Sequence, residues 1–218
     1  MSTTTVTTCT YNAGNAGSDK VTADLRSLIG LFIIVCLQEV ADRARELAAT
    51  GARVLQLDGK DRGHVAMLLQ NSVQVLSWGY EQCTRRSFVG AWGAGPRVIA
   101  AKWILWALVD VGDGATLTAA DTHMVPSVQR KATGPIARLG LRRRRALYRK
   151  HVAAIVTWAA TVTGPIALHM DANATEDFPL LAPLLEAGFV CMTAPSHGDR
   201  AIDQVWVRDA RPEEVRAL

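Results

Sequence analysis

GPIALHMDANA, Gly164–Ala174, is the stretch from which the rest of the chain can be read. A Gly-Pro pair opens a short apolar run, Pro165–Leu168, with the length and character of a buried strand. The run delivers Asp171 and Asn173, two residues apart, into a polar loop that ends at Thr175–Glu176–Asp177. In open α/β sheets, ligands and catalytic groups gather just beyond the carboxyl ends of such strands, which makes Asp171 and Asn173 candidates. An ordinary strand followed by an Asx turn would use the same residue types. The decisive question is whether other strands end alike.

Several do. Thr4–Tyr11 alternates, is rich in Thr and Val, and stops at Asn12 before a glycine-bearing loop. That loop can bring backbone close to a ligand but lacks the spacing of a nucleotide-binding turn. Leu31–Leu37 is a continuous branched run that ends in Gln38–Glu39. A carboxylate at the end of a buried apolar strand is costly unless it is paired or holds a metal. Arg97–Val111, the turn Gly112–Asp113–Gly114 and Thr116–Thr122 form a hairpin signal whose second strand closes on Asp121–Thr122–His123, with Pro126 three residues on. Ile202–Val207 is the last strand and contains Asp203.

Between these lie a helix capped by Ser18 or Asp19 and running to about Leu28, and a helix over Asp42–Thr50 closed by Gly51. Val54–Leu57, His64–Gln70 and Val73–Trp78 read as antiparallel strands, and Gln82–Pro96, with its glycines, as loop. A long helix follows, with Leu141, Tyr148, Val152, Ile155 and Ala159 on one face and Arg138, Arg142, Arg145 and Arg149 on another. Helix Phe178–Ala187, capped by Gly188, and strand Phe189–Met192 precede the last strand.

The totals bound the class. A chain of 218 residues, 49% hydrophobic and 20% charged, with no repeat or linker, reads as one domain over residues 1–218. Ile29–Leu37 is too short to span a bilayer, and no secretory signal opens the chain, so no membrane partner is expected. Cys9, Cys36, Cys83 and Cys191 lie far apart, and three sit in apolar runs. Buried thiols in a reducing, cytoplasmic compartment fit this better than bridges or a zinc site. Residues 130–150 carry nine Lys and Arg and no acid, while the other fifteen bases face twenty acids. A local basic patch of this kind is the footprint of a polyanionic partner.

Five pieces of sequence, in this order, resemble the endonuclease/exonuclease/phosphatase superfamily, the group that includes pancreatic deoxyribonuclease, abasic-site endonucleases and inositol-phosphate phosphatases. They are TYN at Thr10–Asn12, LQEV at Leu37–Val40, THMVP at Thr122–Pro126, MDAN at Met170–Asn173 and AIDQVWV at Ala201–Val207. The resemblance implies an α/β (α+β) four-layer sandwich, with two mixed, mainly antiparallel sheets face to face and helices outside. It also implies divalent-metal-dependent phosphoester cleavage, with Mg²⁺ (or Mn²⁺) held by Glu39. Asp171 would orient or deprotonate the attacking water, and Asn173 and Asn12 would hold phosphate oxygens. His123 would contact the phosphate or protonate the leaving group; Asp121 has no assigned role.

The chain departs from the pattern at Met170 and Ala172, where the family usually has Gly and an aromatic. In the family, Asp203 orients a histidine in a later Ser-Asp-His segment, which is not reached by Leu218. His197 is a weak substitute. With Arg138, Arg142, Arg143, Arg144, Arg145 and Arg149 as the nucleic-acid face, the expected activity is a nuclease, most plainly an endonuclease, on DNA rather than RNA. Two alternatives stand beside it. One is a catalytically impaired relative that binds nucleic acid or an acidic partner; the other is a phosphatase of small-molecule or inositol phosphates. Oligomeric state is not readable from the sequence.

Overall fold

β2 (Ile34–Gln38) and β4 (Val65–Leu69) are buried at every position, as continuous apolar strands must be when both faces of their sheet are covered. The computed structural model describes residues 6–14, 16–56, 64–91, 96–192 and 202–210. β1 (Thr8–Asn12) lies parallel to β2, and β3 (Arg53–Gln56) pairs with β4, which gives a four-stranded sheet in the order β1-β2-β4-β3. A six-stranded sheet is built from β5 (Gln74–Thr84), β8 (Lys102–Gly112), β9 (Ala115–His123), β10 (Ile166–Asp171), β11 (Val190–Cys191) and β12 (Asp203–Arg208). Its order is β11-β12-β10-β9-β8-β5, with only the β9–β10 pair parallel.

The sheets face each other across one apolar layer. Ile34, Cys36, Met67 and Leu69 of the first sheet meet Leu105, Ala107, Val109 and Ala119 of the second. On the outer face of the first sheet, Val35, Leu37 and Leu68 cover Val21, Leu25 and Leu28 of α1 (Ser18–Leu31) and Leu47 of α2 (Ala44–Ala48). On the outer face of the second, Ile104, Leu168, Met170 and Trp206 pack on Tyr148, Val152 and Ile155 of α3 (Pro135–Ala159) and Leu184 of α4 (Ala182–Glu186). The result is the helix–sheet–sheet–helix sandwich expected.

Several boundaries differ from the sequence reading, each for a local reason. α1 runs through Gly30 to Leu31, so β2 begins only at Ile34. The Gly-rich stretch read as loop is a hairpin of β6 (Ser87–Ala91) and β7 (Pro96–Ile99), with a register shift between Phe88 and Gly90. A glycine at a bulge breaks the alternation by which strands are recognised. β7 and β8 are therefore two strands where one was read. β10 continues past Leu168 to Asp171, so the aspartate belongs to the strand. The helix read over 178–187 is a 3₁₀ turn, Pro179–Leu181, followed by α4, because Pro179 and Pro183 each lack the amide a continuous helix would use.

No helix among the described residues is long and apolar enough to cross a membrane. None of the four cysteines is bridged; Cys9 and Cys36 are buried, while Cys83 and Cys191 are partly exposed.

Candidate active site

Strand register brings the residues to one rim. β9 and β10 run parallel with His123 beside Asp171, and antiparallel β12 sets Asp203 against the other side of Asp171. In the facing sheet, Asn12 lies beside Gln38, and Glu39 follows at once. The two sheets are joined here by side chains. Asn12 Nδ2 donates to Asp171 Oδ2 at 2.9 Å, and Asn12 Oδ1 accepts the Gly14 amide at 2.9 Å.

One layer deeper, fully buried Asp121 accepts the Leu37 amide at 3.0 Å and the Gln38 side-chain amide, and Thr10 donates to Gln38. Burial pushes the Asp121 carboxyl well above its usual range, an effect that hydrogen bonds from Gln38, the Leu37 amide and the Thr122 amide only partly offset. This residue, to which the sequence reading gave no role, clasps β2 to β9. It thereby fixes where Glu39 emerges relative to His123.

Glu39, His123 and Asp171 each offer a ligand atom, and these atoms lie within 4.8 Å of one another. His123 Nε2 is 3.5 Å from Asp171 Oδ2 and 3.9 Å from Glu39 Oε1. Two of the backbones are unusual: Glu39 has φ 59° and Asn173 has φ 52°. Asparagine visits the left-handed region readily, but glutamate does not, and such strain persists where surrounding structure enforces it. Gly14, at φ 44°, lies against the same rim, where an added Cβ would sit 3.6 Å from Asn12 Oδ1 and 3.8 Å from Glu39 Oε2.

The Asp171 loop is held from three sides. Its carboxylate accepts the Asn173 amide at 3.0 Å, Tyr148 of α3 donates to the Ala172 carbonyl at 2.9 Å, and the Ala172 amide donates to Ile202 O at 2.7 Å. Met170 and Ala172, the two departures from the family pattern, are both fully buried in the outer core. The Asn173 Nδ2 is buried without a hydrogen-bond acceptor among the described residues.

Electrostatics set the protonation states. Burial raises the Asp171 carboxyl to about 7, and the Asp203 charge adds to the rise. His123 is pushed well below the usual imidazole range, first by burial and then by Lys102, His64 and His151, so its ring is neutral. Lys102, the first residue of β8, is only 8% exposed. Burial lowers its ammonium to about 8, while the carboxylates of Asp171 and Glu39 act to raise it. Neither Lys102 nor His64, whose ring meets that of His123 edge-on at 6.4 Å, stood out in the sequence. Lys102 lies five residues into what reads as a single long strand, Arg97–Val111, and His64 opens a strand with no motif around it.

The basic segment divides in two. Arg138, Arg142, Arg143 and Arg149 are exposed on α3, whereas Arg144 is buried and donates to Pro126 O at 3.2 Å. Arg145 donates to Val128 O at 3.0 Å. The expectation that Arg144 belongs to a nucleic-acid face is corrected: it supports the loop after His123. The spacing already held the signal, since Arg144 is three residues after Leu141 and four before Tyr148, on the apolar stripe. Arg130, Lys131, Arg138, Arg142 and Arg145 line a cavity of about 650 Å³. Gln129, on its wall, exchanges two hydrogen bonds with Thr175 and so ties the cavity to the Asp171 loop. His197 lies outside the described residues.

No family model matches this chain, and no curated protein does. Solved structures do, at low identity. An endonuclease/exonuclease/phosphatase family protein from Bacteroides thetaiotaomicron is 16% identical, with 93% of this chain and 82% of that one covered at a TM-score of 0.62. A humanized D. rerio TDP2 is 13% identical over 93% and 83% of the two chains, with a TM-score of 0.63. A Bacteroides thetaiotaomicron mannosyl-6-phosphatase is 16% identical over 94% and 85%, with a TM-score of 0.60. At such identities the likeness is one of fold.

Proposed function

We propose that this chain, which has the endonuclease/exonuclease/phosphatase fold, is a divalent-metal-dependent phosphoesterase that cleaves nucleic-acid phosphodiesters. The observation that carries the reading is the meeting of Glu39, His123 and Asp171, whose ligand atoms lie within 4.8 Å of one another, beside Asn12 and Asn173. The donor set fits a hard divalent ion. Two carboxylates suffice for Mg²⁺ or Mn²⁺, and Glu39, the most exposed of the three donors, would be the principal ligand. Such an ion supplies neutralisation of phosphate charge and stabilisation of the leaving oxygen.

The chain's own groups supply the rest. Asp171 is buried and held near neutrality, so its ionised form takes a proton from water at physiological pH, and Asn12 and the Asn173 amide fix its direction. The unsatisfied Asn173 amide group is available to a phosphate oxygen. Neutral His123 is suited to a hydrogen bond with the phosphate rather than to donating a proton. Asp203, opposite Asp171, raises the basicity of Asp171 through its charge.

The cavity on α3 supports a polyanionic substrate: Arg130, Lys131, Arg138 and Arg142 present cations for phosphates flanking the one cleaved. The test is incubation with plasmid DNA, RNA, a small phosphodiester and sugar phosphates, in Mg²⁺ or EDTA, against Asp171→Ala. Metal-dependent cleavage of nucleic acid, reduced about 10²- to 10⁴-fold by the substitution, is expected. Cleavage of phosphomonoesters alone would replace the nuclease reading by a phosphatase. Absence of any metal-dependent turnover above the Asp171→Ala control would remove the hydrolase.

A further inference from the structure

We infer that Gln129 is a positioning residue, through which phosphates seated in the α3 cavity fix the loop that carries Asp171. The inference rests on the phosphoesterase reading and adds to it the means by which substrate bound away from the rim acts on the chemistry there.

Residues 124–129 and 171–175 are bonded to each other at both ends. At one end the Met124 amide donates to Asp171 O at 3.0 Å. At the other, Gln129 Nε2 donates to Thr175 Oγ1 at 2.9 Å, and Gln129 Oε1 accepts the Thr175 amide at 3.2 Å. Within the second segment, Tyr148 holds the Ala172 carbonyl and Gln204 holds the Ala174 carbonyl, both from the core. The Gln129 pair is the hold on this loop that comes from the cavity side, since Gln129 is part of the cavity wall.

The first segment is in turn held by the helix. Arg144 donates to Pro126 O at 3.2 Å, and Arg145 donates from Nε to Val128 O at 3.0 Å. Between these two carbonyls Ser127 has φ 65°, a left-handed conformation that serine seldom adopts and that persists where its surroundings enforce it. The bend that aims Gln129 at Thr175 therefore depends on the arginine bonds. Arg145 also lines the cavity, and a guanidinium that has given Nε to a carbonyl keeps its terminal donors for a phosphate. The path from phosphate to Arg145, Val128, Gln129, Thr175 and the Asp171 loop is continuous, each link a hydrogen bond or the chain itself.

Such a path gives remote contacts a use beyond affinity. Phosphates in the cavity lie outside the bond being cleaved, and binding energy from such parts of a substrate raises kcat when it fixes the reacting groups. A nucleic-acid strand long enough to cover the cavity and the rim together draws on the coupling. A small phosphodiester, confined to the rim, does not. Cations alone, without the Gln129 bridge, would change affinity only.

The experiment reads hydrogen exchange of the Asn173 amide, which is bonded to Asp171 Oδ1, by nuclear magnetic resonance in EDTA, where metal-dependent cleavage is stopped. A short single-stranded DNA is added to saturation to wild type, Gln129→Ala, Thr175→Val and Thr175→Ser. DNA should slow exchange about tenfold in wild type and in Thr175→Ser, which keeps the hydroxyl, and less than about twofold in Gln129→Ala, with Thr175→Val between. With Mg²⁺, kcat on DNA should fall about tenfold in Gln129→Ala, with KM within about twofold of wild type. DNA that binds wild type without slowing Asn173 overturns the inference, as does a wild type that binds no DNA. Slowing that survives Gln129→Ala, or is the same in Thr175→Val as in wild type, overturns it too. Slowing that depends on Gln129 in a protein that hydrolyses no phosphoester would leave this inference standing and remove the hydrolase reading instead.

Discussion

Two charged regions lie on either side of the His123–Val128 loop, and they are built on opposite terms. At the strand-end rim, charges are buried and placed by register: Asp171 is 3% exposed, and its neighbours come from residues 12, 39, 123 and 203. On α3 the charges are mostly exposed and placed by helical repeat, and the one arginine that is buried, Arg144, serves packing. Burial makes each rim residue energetically costly and chemically specific, whereas exposure makes each α3 cation cheap and replaceable. Chemistry is thus expected to depend on single residues at the rim, and affinity to be shared along the helix.

The comparison can be sharpened first through pH, where the rim should show its largest signature. Asp171 titrates near 4 in the unfolded chain and near 7 in the folded, metal-free protein. Below about pH 4 both states hold the proton and nothing is lost. Between about 4 and 7 the folded state binds more protons, so the Asp171 contribution to stability falls as pH rises, and it stays level above 7. His123, His151 and His169 are all shifted down by burial and produce the opposite slope, so the readout is a difference. In EDTA, the unfolding free energy of wild type minus that of Asp171→Asn, by urea titration, should fall across this window. A flat difference would mean that Asp171 is not buried among repelling charges.

A smaller pair of effects separates the arginines of α3. Arg144→Met leaves Pro126 O without its donor and should cost about 1–3 kcal/mol in urea unfolding. Arg138→Ala/Arg142→Ala should leave stability within about 0.5 kcal/mol per site. The double variant should lower the salt dependence of nucleic-acid binding by roughly two units of slope, with turnover of a small phosphodiester unchanged. If Arg144→Met is as benign as the exposed pair, the division between the two regions fails at its clearest point.

The layered fold and most of the rim were legible because each strand announced its end with a polar residue after an apolar run. The face of α3 was equally plain: Leu141, Tyr148, Val152, Ile155 and Ala159 are all buried. What was not legible had physical causes. The β6–β7 hairpin hid behind glycines that interrupt alternation. Lys102 hid because β7 and β8 read as one strand, so its place beside His123 depended on a break that composition does not mark. Asp121 was visible as a residue but not as a clasp, since its partners Leu37 and Gln38 lie more than eighty residues away. Arg144 sits inside a run of four arginines, so its charge masks its place on the apolar stripe of α3.

The proposed chemistry stands on Glu39 holding one divalent cation at the rim it shares with His123 and Asp171, and Mn²⁺ binding followed by electron paramagnetic resonance tests it without any substrate. Wild type should bind one Mn²⁺ per chain at the rim, with that binding weakened tenfold or more in Glu39→Gln and competed by Mg²⁺. A protein that binds no Mn²⁺, or binds it equally well after Glu39→Gln, would contradict the central claim.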